Sequence, residues 1–187
     1  RYPQPGDRVA FQEGLTERPD AVPGVDSLTI TSNPPAGGAQ TLTLKIEGRD
    51  MVDATNRLPN VPRLVVVPDS FESLDLPIRR GRGFGEADGA PGAEAAIVNE
   101  TFVTRYFPDT DPLGIRLRLG QDVNRGTEDT AAPWLTIVGV VADMRTITLR
   151  GETGPEFYIS DLQEPQTDMG VMIRTTLPPA DVVPAAR

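Results

Sequence analysis

The residues best able to do chemistry in this 187-residue chain are carboxylates, because it contains neither histidine nor cysteine. Without histidine the commonest general base and transition-metal ligand is missing, and without cysteine there are no thiolate nucleophiles, disulfides or thiolate-held metals. Acidic side chains gather at Glu86 and Asp88, and again at Asp109, Asp111 and Asp122. Oxygen ligands of this kind suit a hard cation such as Ca²⁺, but the spacing of an EF-hand loop is absent. Paired carboxylates also suffice for glycoside hydrolysis. An aromatic-rich sugar cleft is not evident, and Trp134 is the single tryptophan. Solvated acidic turns are therefore the expectation, and no catalytic, cofactor-binding or metal-ligating residue is assigned.

A second candidate is the glycine-rich run Gly81-Arg82-Gly83-Phe84-Gly85. Phosphate-cradling loops need a particular glycine spacing and a helix N-terminus behind them. This run has neither, so its glycines are expected to serve a tight bend, with Gly81 and Gly83 at backbone angles closed to other residues. A net charge of −9 repels phosphate backbones and anionic headgroups, which argues against nucleic-acid partners.

Elements that would hold these residues can be read from periodicity. Asp7 is placed to cap a helix over 8–18. Strands are expected at 25–31, 41–48, 63–67, 95–98, 115–119, 135–141, 156–159 and 171–175, and a terminal helix from 179. Asp69 is placed to cap a short helix over 70–74. Asn99 precedes an amphipathic segment and reads as the N-cap of a helix ending at Phe107, before Pro108. Phe102, Tyr106 and Phe107 fall at helical spacing as core residues. The segment 121–133 is polar and reads as a hairpin tip or a mobile loop. No stretch approaches the roughly 20 apolar residues that cross a bilayer.

Several segments, in order, carry a resemblance. They are Val22-Pro23-Gly24-Val25, Pro68 to Phe84, Ile97-Val98-Asn99-Glu100-Thr101-Phe102 and Arg105-Tyr106-Phe107-Pro108. Asp111-Pro112-Leu113-Gly114, Trp134 to Arg145 and Pro155 to Ile159 complete the series. The series resembles the MacB-like periplasmic core domain of MacB/FtsX-type ABC transporter permeases, and within that group the duplicated orphan permeases of environmental bacteria.

The resemblance implies an α+β fold with a mixed α/β porter-like subdomain (1–75 and 165–187) and an inserted, β-rich sabre-like subdomain (76–164). It implies an extracytoplasmic domain that couples ATP-driven motion of membrane helices to export or to an envelope partner. ATP would be used by a separate nucleotide-binding domain, so no cofactor is expected here. Expected partners are the permease's own transmembrane helices, the cytoplasmic ATPase, and a periplasmic adaptor or other envelope protein, with a dimer in the full transporter. Two other classes compete, a stand-alone carboxylate-dependent glycan hydrolase and a passive ligand-binding module. The residues singled out are architectural: Gly81, Arg82, Phe84, Asn99, Pro112, Gly114 and Gly139.

Overall fold

Alternation of apolar and polar side chains builds most of this molecule, since a strand turns successive side chains to opposite faces. In the computed structural model, which describes residues 24–32, 39–53, 57–122, 132–144, 153–166, 169–178 and 182, nine strands form one mixed sheet. They are β1 (Val25–Thr31), β2 (Gln40–Ile46), β3 (Asn60–Val66), β4 (Ile78–Gly81) and β5 (Ala95–Asn99). The others are β6 (Arg116–Asp122), β7 (Leu135–Val141), β8 (Phe157–Ser160) and β9 (Gly170–Thr175). Helix α1 is a single turn, Ser70–Ser73, and α2 spans Glu100–Tyr106. The helices expected at 8–18 and from 179 lie outside the described residues.

The pairing closes on itself. Strands run β2, β6, β7, β5, β8, β3 and back to β2, with β3–β8 and β5–β7 parallel and the other four pairs antiparallel. Closure removes the sheet edges that would otherwise invite foreign strands. Leu42, Leu44 and Ile46 of β2 face the same core as Leu117 and Leu119 of β6, and as Phe157 and Ile159 of β8. Helix α2 drives Phe102, Val103 and Phe107 into that core, while Tyr106 is only half-buried against it.

Strand β7 changes its inward residues part-way. Leu135 and Ile137 face the ring core, then Val140 does, because the register with β5 shifts between Ala96 and Ile97. A bulge of this kind re-aims side chains and bends the strand. It frees the second half of β7 to accept β4 on the edge whose beginning is held by β6.

A second cluster lies on the other face. Leu64, Val66, Ala95, Ile97, Val141 and Tyr158 pack there with Phe71 of α1 and Phe84. Phe71 meets Tyr158 edge-on at 5.1 Å and Phe84 in a stacked pair at 6.2 Å. Both geometries are favoured by the ring quadrupole.

Strands β1 and β9 form an arm, paired with each other from Val25↔Thr175 to Thr31↔Gly170. The arm joins β3 at the single register pair Thr31↔Val66. Ser27 Oγ donates to Ser73 O at 2.7 Å, and Thr29 Oγ1 donates to Ser70 Oγ at 2.8 Å, fixing the arm to α1. Sheet hydrogen bonds cross the expected boundary at residue 76, since β2 pairs with β6 and β3 with β8.

Two local expectations are corrected, and one strand is added. Asp69 occupies the N-cap position of α1 but its side chain makes no capping bond; a one-turn helix is held by packing of Phe71 instead. Gly83 has no positive φ. Strand β4 was not expected, because Ile78-Arg79-Arg80-Gly81 has too little apolar pattern to announce a strand that its partner imposes.

Candidate functional site

Five of the seven singled-out residues, Gly81, Arg82, Pro112, Gly114 and Gly139, meet around one stretch of β7. Gly81 pairs with Gly139 across the β4–β7 ladder. Gly81 has φ +70°, and a Cβ there would lie 2.1 Å from Val138 O and 2.9 Å from Leu113 Cδ2. A Cβ on Gly139 would lie 2.2 Å from Arg82 O. The two backbones cross too closely for any side chain, which is why both positions are glycine. The Arg82 N–H donates to Val138 O at 3.0 Å and completes the crossing.

The turn Asp111–Gly114 arrives at the same place. Pro112 is buried, Gly114 has φ +79°, and the Gly114 N–H donates to Ile137 O at 2.9 Å. Asp111 Oδ1 accepts the Leu113 N–H at 3.2 Å, an ordinary turn-forming role for aspartate.

The Arg82 side chain folds back onto Asp88 with two bonds, Nη1–Oδ2 at 2.6 Å and Nη2–Oδ1 at 2.8 Å. Oδ2 also accepts the Gly85 N–H at 2.8 Å. Asp88 is almost fully buried in the 3-10 turn Glu86–Gly89. The Arg82 guanidinium, and then the Gly85 N–H, hold its carboxyl below the usual carboxylate range. The glycine-rich loop thus already binds an anion, its own Asp88, and wraps Phe84 into the second core cluster.

Asn99 ends β5 and begins α2. Its Oδ1 accepts the Phe102 N–H at 2.9 Å, the expected N-cap, and also the Glu156 N–H at 2.9 Å. Its Nδ2 donates to Gly154 O at 2.8 Å. One buried amide therefore joins the helix start to the segment entering β8.

Residues outside the sequence expectation support the same region. Asp143, just past β7, accepts from Thr101 N at 2.9 Å and Thr101 Oγ1 at 2.7 Å, and so reinforces the start of α2. Gln163 bonds both the N–H and the C=O of Ala95, at 2.7 and 2.9 Å, substituting for a missing strand partner. Tyr158 donates its hydroxyl to the buried Glu156 carboxylate. Asp143 and Glu156 stood within motif segments but carried no local signal of their partners. Gln163, eight residues past Pro155, carried none at all.

The acidic residues singled out in the sequence have separate surroundings among the described residues. Asp88 is occupied by Arg82, whereas Glu86 and Asp109 are exposed. Asp111 is a turn former with a loose contact to Arg80 at 3.9 Å. The Asp122 side chain lies outside the described residues. Among the described residues no three acidic side chains gather in a cation-binding cluster.

What converges here is architecture: glycine crossings, a buried cap and an internal ion pair that lock a mixed-sheet module. The family follows from the whole chain. It belongs to the MacB-like periplasmic core domains, whose family model matches residues 9–187, and it is an extracytoplasmic domain of an ABC-type transporter permease. Among the described residues no helix is long and apolar enough to cross a membrane.

Solved structures share the fold at low identity. The periplasmic region of MacB from Actinobacillus actinomycetemcomitans is 12% identical with a TM-score of 0.57, over 95% of this chain and 69% of that one. The extracellular domain of the noncanonic ABC-type transporter YknZ from Gram-positive bacteria is 17% identical, with a TM-score of 0.55 and coverages of 94% and 77%. A permease-protein domain from Porphyromonas gingivalis is 16% identical, with a TM-score of 0.53 and coverages of 93% and 71%. No curated protein matches the sequence.

Proposed function

We propose that the domain relays ATP-driven movement of its permease's membrane helices to an export step or to an envelope partner. The observation that carries this reading is the β1–β9 arm. Val25 pairs with Thr175, and Thr175 Oγ1 donates to Gly24 O at 2.6 Å. Gly24, before β1, and Thr175, at the end of β9, therefore stand side by side at one end of the arm. Displacement of two flanking helices would act on one paired arm rather than on two remote points. The arm meets the closed ring through a narrow joint at Thr31↔Val66 and small polar contacts to α1. A narrow joint on a stiff ring is where a hinge would absorb motion. ATP binding and hydrolysis belong to a separate cytoplasmic nucleotide-binding domain in this reading, and the permease works as a dimer with an adaptor or other envelope protein.

The joint can be tested by locking it. Ser32 N–H donates to Val65 O and Val67 N–H to Ile30 O, so Thr31 and Val66 form a non-hydrogen-bonded antiparallel pair. Such pairs have Cα atoms about 4.5 Å apart, within disulfide range. In the full-length permease, Thr31→Cys with Val66→Cys would form a disulfide in a domain with no other cysteine. Oxidation should lower ATPase turnover of the assembled transporter, and a reductant should restore it. Equal turnover in the oxidised and reduced states would refute relay through this joint.

A further inference from the structure

The outer face of β2, β6 and the start of β7 carries a charge pattern opposite to that of the chain. Lys45, the only lysine, pairs directly with Arg118 in the β2–β6 register. The Arg118 guanidinium lies 4.8 Å from the centre of the Trp134 ring, and that of Arg116 lies 5.9 Å from it. Arg116 is neutralised by Glu47, with Nε to Oε2 at 2.7 Å. Among the described residues Lys45 and Arg118 have no ion pair. Like charges directly opposite on a sheet face destabilise it. A chain of net charge −9 has carboxylates in excess, yet none of the described ones neutralises this pair.

We propose that this face, centred on Trp134, Arg118 and Lys45, docks an acidic segment of a partner protein. A guanidinium held over an indole ring by a cation–π contact makes no hydrogen bond there, and its N–H fork matches a carboxylate in two-point contact. Lys45 supplies a second cation beside it, and the half-buried indole supplies apolar area of the kind that anchors interfaces. The chain's net charge decides the class of partner. Screening over about 8 Å at physiological salt lets two local cations attract a short acidic segment. Nucleic acid and an anionic membrane are extended polyanions and would meet the whole negative surface. The inference deepens the relay reading by naming the chemistry of a partner, and rests on it only for the compartment where the two would meet.

Because Trp134 is the only tryptophan, its fluorescence reports this face alone. The 187-residue chain is titrated with the capped peptide Glu-Leu-Glu-Glu-Leu-Glu and with its counterpart carrying lysine for glutamate. A saturable change with the acidic peptide only is expected, weakening several-fold between 50 and 300 mM salt. Lys45→Glu, which leaves the Arg118–Trp134 contact in place, should weaken binding about tenfold, as should Arg118→Glu. Circular dichroism verifies that both variants are folded. The proposal is overturned by an absent or non-saturating change, by an equal response to the lysine peptide, or by undiminished binding to folded Lys45→Glu. Tighter binding of phosphatidylglycerol vesicles or of a single-stranded oligonucleotide would also overturn it. A failed titration leaves the relay standing, since that is read from ATPase turnover of the transporter.

Discussion

Replacing Asn99 with alanine should be among the most damaging single changes in this domain, and its cost can be built from three bonds. The substitution removes the acceptor for Phe102 N–H, the acceptor for Glu156 N–H and the donor to Gly154 O. Loss of an N-cap costs about 1 kcal/mol. Asn99 is fully buried, so the Glu156 N–H loses its Oδ1 acceptor inside the core. An orphaned buried donor adds about 1–3 kcal/mol. The sum, about 2–4 kcal/mol, is a large fraction of a typical domain's stability. With a urea slope of about 2 kcal/mol/M, the unfolding midpoint should fall by about 1–2 M. Asn99→Ser separates the contributions, because a serine hydroxyl can cap α2 but is too short to hold both segments. It should recover about 1 kcal/mol. Equilibrium urea unfolding, followed by circular dichroism, decides the matter. A midpoint shift under about 0.3 M for Asn99→Ala would refute the idea that this amide ties α2 to the approach to β8.

Other perturbations test the crossing and the internal ion pair. Gly139→Ala and Gly81→Ala should each unfold the domain or cost more than about 3 kcal/mol, since the new methyl group would overlap a backbone oxygen at 2.2 and 2.1 Å respectively. Gly83→Ala, with nothing within 4 Å of its Cβ position and no positive φ, should shift thermal stability by less than about 0.5 kcal/mol. Asp88 has a depressed folded-state pKa, so its stabilising effect is complete above the unfolded value of about 3.9. It is lost as pH falls through the lower folded value. Asp88→Asn should therefore lower stability at pH 7 and flatten the decline below about pH 4, as read from thermal melts across pH. An unchanged acid limb would mean that the Arg82 pair contributes nothing. The oxidised Thr31–Val66 lock and the acidic-peptide titration complete the set, each with the outcome stated above.

Much of the fold was legible where local pattern and tertiary environment agree. Leu135 to Val141 is an apolar β-branched run and is strand β7, bounded at the same residues. Asn99 signalled a helix start, because Ncap chemistry acts over three residues and needs no distant partner. Gly81 and Gly114 have positive φ, and a Cβ on Gly139 would meet the Arg82 carbonyl, so a side chain at any of the three would be strained. Where legibility ended, the missing information was a partner distant in sequence. Strand β4 exists because β7 offers it an edge after the bulge, and Ile78-Arg79-Arg80-Gly81 has no strand pattern of its own. Gly83 looked equivalent to Gly81, but only Gly81 faces the Val138 carbonyl.

Residue types alone determined that this domain has no histidine or thiol chemistry, carries a net negative charge and is made mainly of short strands. Those properties follow from composition and from periods of two and 3.6, which are local. Tertiary structure decided that Arg82 consumes Asp88 and that one amide at Asn99 serves two segments. It also decided that strands from both sides of residue 76 close into one ring, and that a lysine and an arginine separated by 73 positions stand side by side near the only tryptophan. Contacts of that range depend on the register of strands far apart in the chain, and register is settled only when the core is packed.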